Sequence, residues 1–165
     1  MSIEIRELDY ADAALVEGFL AVLDAYAQGE MGGGAPLDAD VRRRLPEALR
    51  AQPNAVVLLA CEDAAVVGIA TCFVGFSTFA ARPLLNVHDL AVLPAAQGHG
   101  IGRALLVAAE AHARARGFAK LTLEVREDNV RARGLYKERG FRDFELAGQA
   151  FQTLFLAKSL TAAPT

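Results

Sequence analysis

Cysteine is nearly missing from this chain: only Cys61 and Cys72 occur in 165 residues. Both sit inside apolar runs without metal-ligand spacing, which argues against a metal site or a redox role and predicts buried free thiols in a reducing compartment. A surplus of basic charge is missing as well. Seventeen Lys and Arg stand against 20 Asp and Glu, a net charge of -3, whereas a general nucleic-acid binder needs a dense basic face. No nucleic-acid partner is expected. No apolar run reaches the ~18 residues of a membrane span, and the first residues, MSIEIRE, offer neither a basic region nor an apolar stretch for export. The expectation is a soluble cytoplasmic protein without a membrane partner. Internal repeats and long low-complexity segments are also lacking. What is present is a hydrophobic content of 53% with 22% charged residues, enough to bury a sizeable core. The length predicts a single domain over residues 1–160, followed by a loose tail over 161–165. A homodimer is left open.

Periodicity divides the chain into alternating elements. A half-buried strand is expected over 3–8, and then a helix over 13–28 capped by Asp12, with Leu15, Val16, Phe19, Leu20 and Leu23 at helical spacing. The glycine-rich stretch 29–36 breaks that helix, and Asp38 or Asp40 starts a second one through Arg42, Leu45 and Leu49. Arg42, Arg43 and Arg44 read as a solvated helix face. Strands follow over 55–61, 65–76 and 84–93, then an Ala- and Leu-rich helix over 103–116 ended by Gly117. A strand over 120–126, a short helix capped by Asp128 or Asn129, and two last strands over 141–146 and 151–158 complete the order. This predicts an α/β (α+β) fold: a mixed, largely antiparallel sheet of about seven strands flanked by four helices.

Between the strand over 84–93 and the helix over 103–116 stand Gln97-Gly98-His99-Gly100-Ile101-Gly102. A strand running into glycines and then into a helix leaves unpaired backbone N–H groups at the positive end of the helix dipole. That arrangement suits a phosphate or pyrophosphate. Glycine lets the backbone approach the anion and permits positive φ, and Arg103 in the first turn adds a charge-assisted contact. Taken alone, the cluster fits an ordinary strand-to-helix turn equally well. A dinucleotide fingerprint begun at Gly98 needs Gly or Ala where Arg103 stands, and the Gly-Lys-Ser/Thr of a P-loop is absent.

With Asp89-Leu90-Ala91-Val92 and Pro94 before it, Gln97–Gly102 resembles the Gln/Arg-x-x-Gly-x-Gly/Ala signature of the GNAT superfamily of N-acetyltransferases. Downstream, the run from Asn129 through Ala132, Leu135, Tyr136 and Gly140 to Phe141 resembles that family's second motif, Asn-x-x-Ala-x-x-Leu-Tyr-x-x-x-Gly-Phe. The resemblance covers residues 3–160. It implies acetyl-CoA as cosubstrate and no metal. By the same resemblance, Gln97, Gly98, His99, Gly100, Ile101, Gly102 and Arg103 hold the pyrophosphate. The backbone of Leu90, Ala91 and Val92 follows the pantetheine and acetyl end, and Asn129 contacts CoA while capping its helix.

Amine attack on a thioester needs a neutral amine, a polarised carbonyl and a protonated leaving thiolate. Tyr136 matches the family tyrosine placed near the sulfur, where its hydroxyl protonates the thiolate; as a bare residue it also fits a core aromatic. The base is open between His88, beside Asp89 on the entry strand, and Glu124 on the neighbouring strand. His99 and His112 read as dispensable side chains. Residues 29–37, including Glu30 and Met31, join the first two helices, a connection that in this family often lines the acceptor side; it also fits a plain connector. The expected activity is acetyl transfer to a primary amine of a small molecule, polyamine-like or amino-acid-like. Residues 76–92 resemble a diamine acetyltransferase turn, and Leu123-Glu124-Val125-Arg126 resembles N-terminal protein acetyltransferases. Transfer to a peptide N-terminus is therefore the alternative acceptor, and a non-catalytic acyl-CoA-binding regulatory domain is the alternative of another class.

Overall fold

A computed structural model describes residues 2–146, 149–151 and 154–160. Five strands form one sheet in the order β1 (Ile3–Glu7), β2 (Ala55–Glu62), β3 (Ala65–Ser77), β4 (Arg82–Val92), β5 (Leu121–Leu123). Neighbours are antiparallel from β1 to β4, and β5 runs parallel to β4. Four helices flank the sheet: α1 (Ala13–Gln28), α2 (Ala39–Arg50), α3 (Ile101–Ala115) and α4 (Val130–Glu138). The expected mixed, largely antiparallel fold is present, with its strands divided. β6 (Phe144–Leu146) and β7 (Gln149–Phe151) satisfy each other in a separate two-stranded ladder instead of extending the central sheet. The last strand is thus shorter and earlier than the expected 151–158, and residues 154–160 lie outside strands. The expected tail over 161–165 falls outside the described residues.

Caps form where short polar side chains precede apolar periodicity. The Asp12 carboxylate accepts from the N–H groups of Ala14 and Leu15, and the Asp38 carboxylate from those of Asp40 and Val41. Asn129, and not Asp128, caps α4 by accepting from Ala132. α3 closes through Gly117 at φ +68°. The arginines predicted as a solvated face are individually paired, Arg42 with Glu17 and Asp24, Arg43 and Arg44 with Asp40.

The sheet separates two apolar layers. One face, with Leu58, Val67, Cys72, Leu85 and Val87, packs on Ile101, Leu105, Leu106 and Ala109 of α3. The other, with Val57, Leu59, Ile69 and Ala91, packs on Leu15, Phe19, Leu20 and Val22 of α1. Both cysteines are buried and free, and desolvation pushes the Cys72 thiol up to about 12. Among the described residues no helix is long and apolar enough to cross a membrane.

One irregularity organises the rest. Thr71 pairs with Asp89 and Cys72 with Val87, which leaves His88 as the extra residue of a β-bulge. The parallel ladder of β5 ends at the pair Val87 and Leu123, beside that bulge. β5 is therefore only Leu121–Leu123, shorter than the expected 120–126, and Glu124 stands just past its end. Among the described residues, the remainder of β4, from His88 to Val92, has no partner strand on that side.

Candidate active site

A cavity of about 490 Å³ opens where β4 parts from β5. It brings together most of the residues singled out in the sequence: Leu90, Ala91, Val92, Gln97, Gly98, Gly100, Ile101, Gly102, Arg103, Asn129 and Tyr136 all line it. The Leu93 N–H donates to the Val67 carbonyl at 2.9 Å. By the alternation of an antiparallel ladder, Leu90 and Val92 then turn their backbone groups away from β3 and into the gap.

The glycine loop closes one end of the cavity. Gly98 and Gly100 lie at φ +86° and +79°, the left-handed region that costs an ordinary residue ~1–2 kcal/mol. Gly102 has ordinary helical backbone, and a Cβ there would stand 3.3 Å from Leu135 Cδ2, a tight contact that the leucine of α4 would have to yield to. Gly100 offers no side-chain cap, and the Ala104 N–H is the first to bond back, to the Gly100 carbonyl at 3.0 Å. The N–H groups of Ile101, Gly102 and Arg103 are thus the orphan donors of the helix start. The Gln97 side chain braces this loop, donating to the Val92 carbonyl at 3.1 Å and accepting from Arg131. Arg103 pairs with Glu138, so α4 is tied to the loop twice. His99 turns its ring onto the Ala96 carbonyl at 3.3 Å and does not line the cavity.

Tyr136 stands half-buried on the α4 wall, its ring 5.8 Å from that of Phe141. Burial, with the nearby Tyr26, raises its hydroxyl above the usual tyrosine range, so it keeps its proton at neutral pH. On the facing wall are Ala25, Tyr26, Gly29, Glu30 and Met31, from the end of α1 and the connection after it. The Tyr26 hydroxyl reaches the Met31 carbonyl at 3.5 Å and is likewise raised, by burial and then by the negative charge of Asp89.

Asp89 had no role in the reading of the sequence. Strict alternation from Leu85 and Val87 would send it to the α3 side, but the bulge at His88 shifts the phase and sends it to the α1 side, with Ala91. There it faces Thr71, which is 3% exposed and whose hydroxyl has no well-formed hydrogen bond. Burial raises the Asp89 carboxyl above the ordinary carboxylate range, against partial relief from His88 and from the Thr71 hydroxyl. The two bases expected from the sequence lie elsewhere. His88 is exposed, edge-on to Phe73 with ring centroids 5.4 Å apart, and Glu124 is exposed and held by the Asn86 amide at 3.3 Å; neither lines the cavity, and Asp89 stands behind its wall, between the lining residue Leu90 and His88 in the chain. Only the bulge, which a single sequence does not reveal, separates Asp89 from its neighbours.

Comparison with known proteins follows the same line. Residues 21–141 match the acetyltransferase (GNAT) family. The uncharacterized N-acetyltransferase YhfO of Bacillus subtilis (strain 168) is 30% identical over 140 residues, 84% of this chain and 89% of that protein. A mycothiol acetyltransferase of Streptosporangium roseum is 42% identical over 65 residues, which is 39% of this chain and only 19% of that longer protein. A solved structure of a probable acetyltransferase superposes with a TM-score of 0.75 at 21% identity, covering 96% of this chain and all of that one, a likeness of fold.

Proposed function

As a member of the GNAT family of acetyltransferases, the chain transfers acetyl groups, and we propose that its donor is acetyl-CoA and its acceptor a primary amine of a small molecule, both held at once. The observation that carries this reading is a cavity that joins the orphan N–H groups of α3 to Tyr136 and to Tyr26, whose hydroxyl feels the charge of the half-buried Asp89 carboxylate. Three features fit the donor. The start of α3 offers N–H groups and a positive dipole end to the pyrophosphate. The free edge of β4 at Leu90 and Val92 offers backbone groups to the amide-bearing pantetheine arm. Arg103 and Arg131, now paired with Glu138 and Gln97 at the rim, are the guanidiniums nearest to hand for phosphate oxygens.

Bound acetyl-CoA supplies a thioester whose carbonyl carbon takes the amine and whose sulfur leaves. Asp89 accepts the proton the amine must lose, directly or through one water; its raised carboxyl pKa brings it closer to the pH at which a base works best. Tyr136, kept protonated, donates to the departing sulfur. Glu30 at the cavity and Asp89 behind Tyr26 place two carboxylates on the acceptor side, offset in part by the Arg126 guanidinium, and a small cationic amine fits between them. His88 tempers the charge of Asp89, and Glu124 belongs to the exposed rim beyond β5.

The test is a thiol-release assay with polyamines, amino acids and N-terminal peptides, run beside thermal melting. Acetyl-CoA at ~100 times its dissociation constant should stabilise the chain by roughly 2.7 kcal/mol, and release should depend on a small amine. Release with peptides alone would move the acceptor to a protein N-terminus. Stabilisation without release by any amine would overturn catalysis in favour of a binding domain.

A further inference from the structure

Among the described residues, the connection between α1 and α2 is held by bonds to itself and to the end of α1 on one side and by the side chain of Arg126 on the other. Within it, the N–H groups of Gly32 and Gly33 donate to the Gly29 carbonyl at 3.0 and 3.3 Å, and that of Gly34 to the Ala27 carbonyl at 3.1 Å. The Leu37 N–H donates to the Asp24 carboxylate at 2.8 Å. Across the cavity mouth, Arg126 Nη1 donates to the Glu30 carbonyl at 3.3 Å. Its other two donors, Nε and Nη2, grip the two oxygens of Asp128 at 3.0 and 2.7 Å. Asp128 adjoins Asn129, so the guanidinium joins two walls that both line the cavity, at Glu30 and at Asn129.

We propose that Arg126 is a latch, a positioning residue that holds the α1–α2 connection over the reacting end of the cavity and keeps bulk water from the thioester. The fork of an arginine serves a carboxylate and a carbonyl at once, whereas a lysine presents a point charge that cannot hold both in one plane. Without the fork, the connection retains only its local bonds. The uncoupled reaction that the latch suppresses is hydrolysis: water oxygen bonds the acetyl carbon, the C–S bond breaks, one hydrogen of the water goes to the CoA sulfur to give the thiol, and the other is released to solvent as the acetic acid ionises to acetate. This role rests on the acetyl-CoA reading of the cavity, but the latch itself is measurable without any ligand.

Amide hydrogen exchange on the full ligand-free chain is the first measurement. In Arg126→Ala, the amides of Gly32, Gly33 and Gly34 should exchange about fivefold faster, the value of one lost hydrogen bond, while those of β2 and β3 stay unchanged. Arg126→Lys should fall between Arg126→Ala and the unaltered chain. The second measurement is thiol release from acetyl-CoA with no acceptor added, expected to rise about fivefold in Arg126→Ala by the same loss of one bond, with the ligand-induced melting shift retained. Unchanged exchange at 32–34 overturns the latch. Faster exchange with unchanged thiol release overturns its role in excluding water. If acetyl-CoA gives no melting shift in the unaltered chain, the donor reading fails instead, and the exchange result still decides the latch.

Discussion

The two walls of the cavity are built on different chemical principles. The wall made by the glycine loop and α3 presents backbone: Gly98 and Gly100 supply left-handed turns, and the start of α3 supplies uncapped N–H groups. The wall made by the end of α1, its connection and the bulged part of β4 presents side chains: Tyr26, Glu30 and, behind them, Asp89. Backbone recognition depends on conformation alone and suits a donor that never changes. Side-chain recognition depends on which face a residue points to, and it can be retuned by single substitutions. Tyr136 stands between the two, on α4, which packs on α3 through Gly102 and Leu135.

If that division is right, losses on the acceptor wall and at Tyr136 should appear in turnover, and losses on the donor wall in binding. The largest effects belong to Tyr136→Phe and Asp89→Asn, each expected to lower turnover by about 10²-fold or more while acetyl-CoA affinity, read by calorimetry, stays within about twofold. Equal losses in both quantities would erase the distinction between the walls. Next is Gly100→Ala, which forces a Cβ into a left-handed turn at ~1–2 kcal/mol and should weaken acetyl-CoA binding by about tenfold with turnover at saturation little altered. Binding unchanged in that variant would break the backbone reading of the donor wall.

A smaller effect lies in pH. Because burial raises the Asp89 carboxyl in the folded chain, the folded state holds that proton more tightly than the unfolded one. Its contribution to stability is present in acid and lost as pH rises through the folded value. Asp89→Asn should therefore melt higher than the unaltered chain at neutral pH, with the gap narrowing toward acid, and it should lose the acid limb of the pH–rate profile. His88→Ala, by contrast, should keep that limb and lower turnover little. The smallest effect is expected at Gly134, an exposed position in α4 where a Cβ would meet nothing within 4 Å. Gly134→Ala should stabilise the fold by about 0.5–1 kcal/mol in denaturant titration, and a loss of acetyl-CoA affinity there would extend the backbone-built wall onto α4.

The same division explains what could be read in advance. Asp12, Asp38 and Gly117 mark helix ends through local chemistry that acts within a few residues, so those boundaries fall where expected. The glycine loop is legible for a related reason, since positive φ and an uncapped helix start are encoded at fixed spacing. β5 and Asp89 are not, because both depend on a pairing between distant strands. The bulge that ends the β5 ladder at Leu123 also rotates Asp89 from one face of the sheet to the other, and nothing near residue 89 announces it. His88 and Glu124 drew attention by residue type, and the fold leaves both outside the cavity. Arg126 is visible in the sequence only as the end of a strand-like run, because its partner Glu30 is 96 residues away.

The single unpaired residue in β4 also indicates which genetic changes this site absorbs. Deleting His88 would bring Val87 directly before Asp89 and close the ladder onto the adjacent partners Cys72 and Thr71, leaving Asp89 on the α1 side and Leu90 and Val92 on the faces they already occupy. Losing one residue between Asp89 and Val92 instead would turn part of that segment over. A lineage can therefore gain or lose a codon at position 88 and keep its glycine loop and its acceptor wall, and the same change two residues later would cost it one of them.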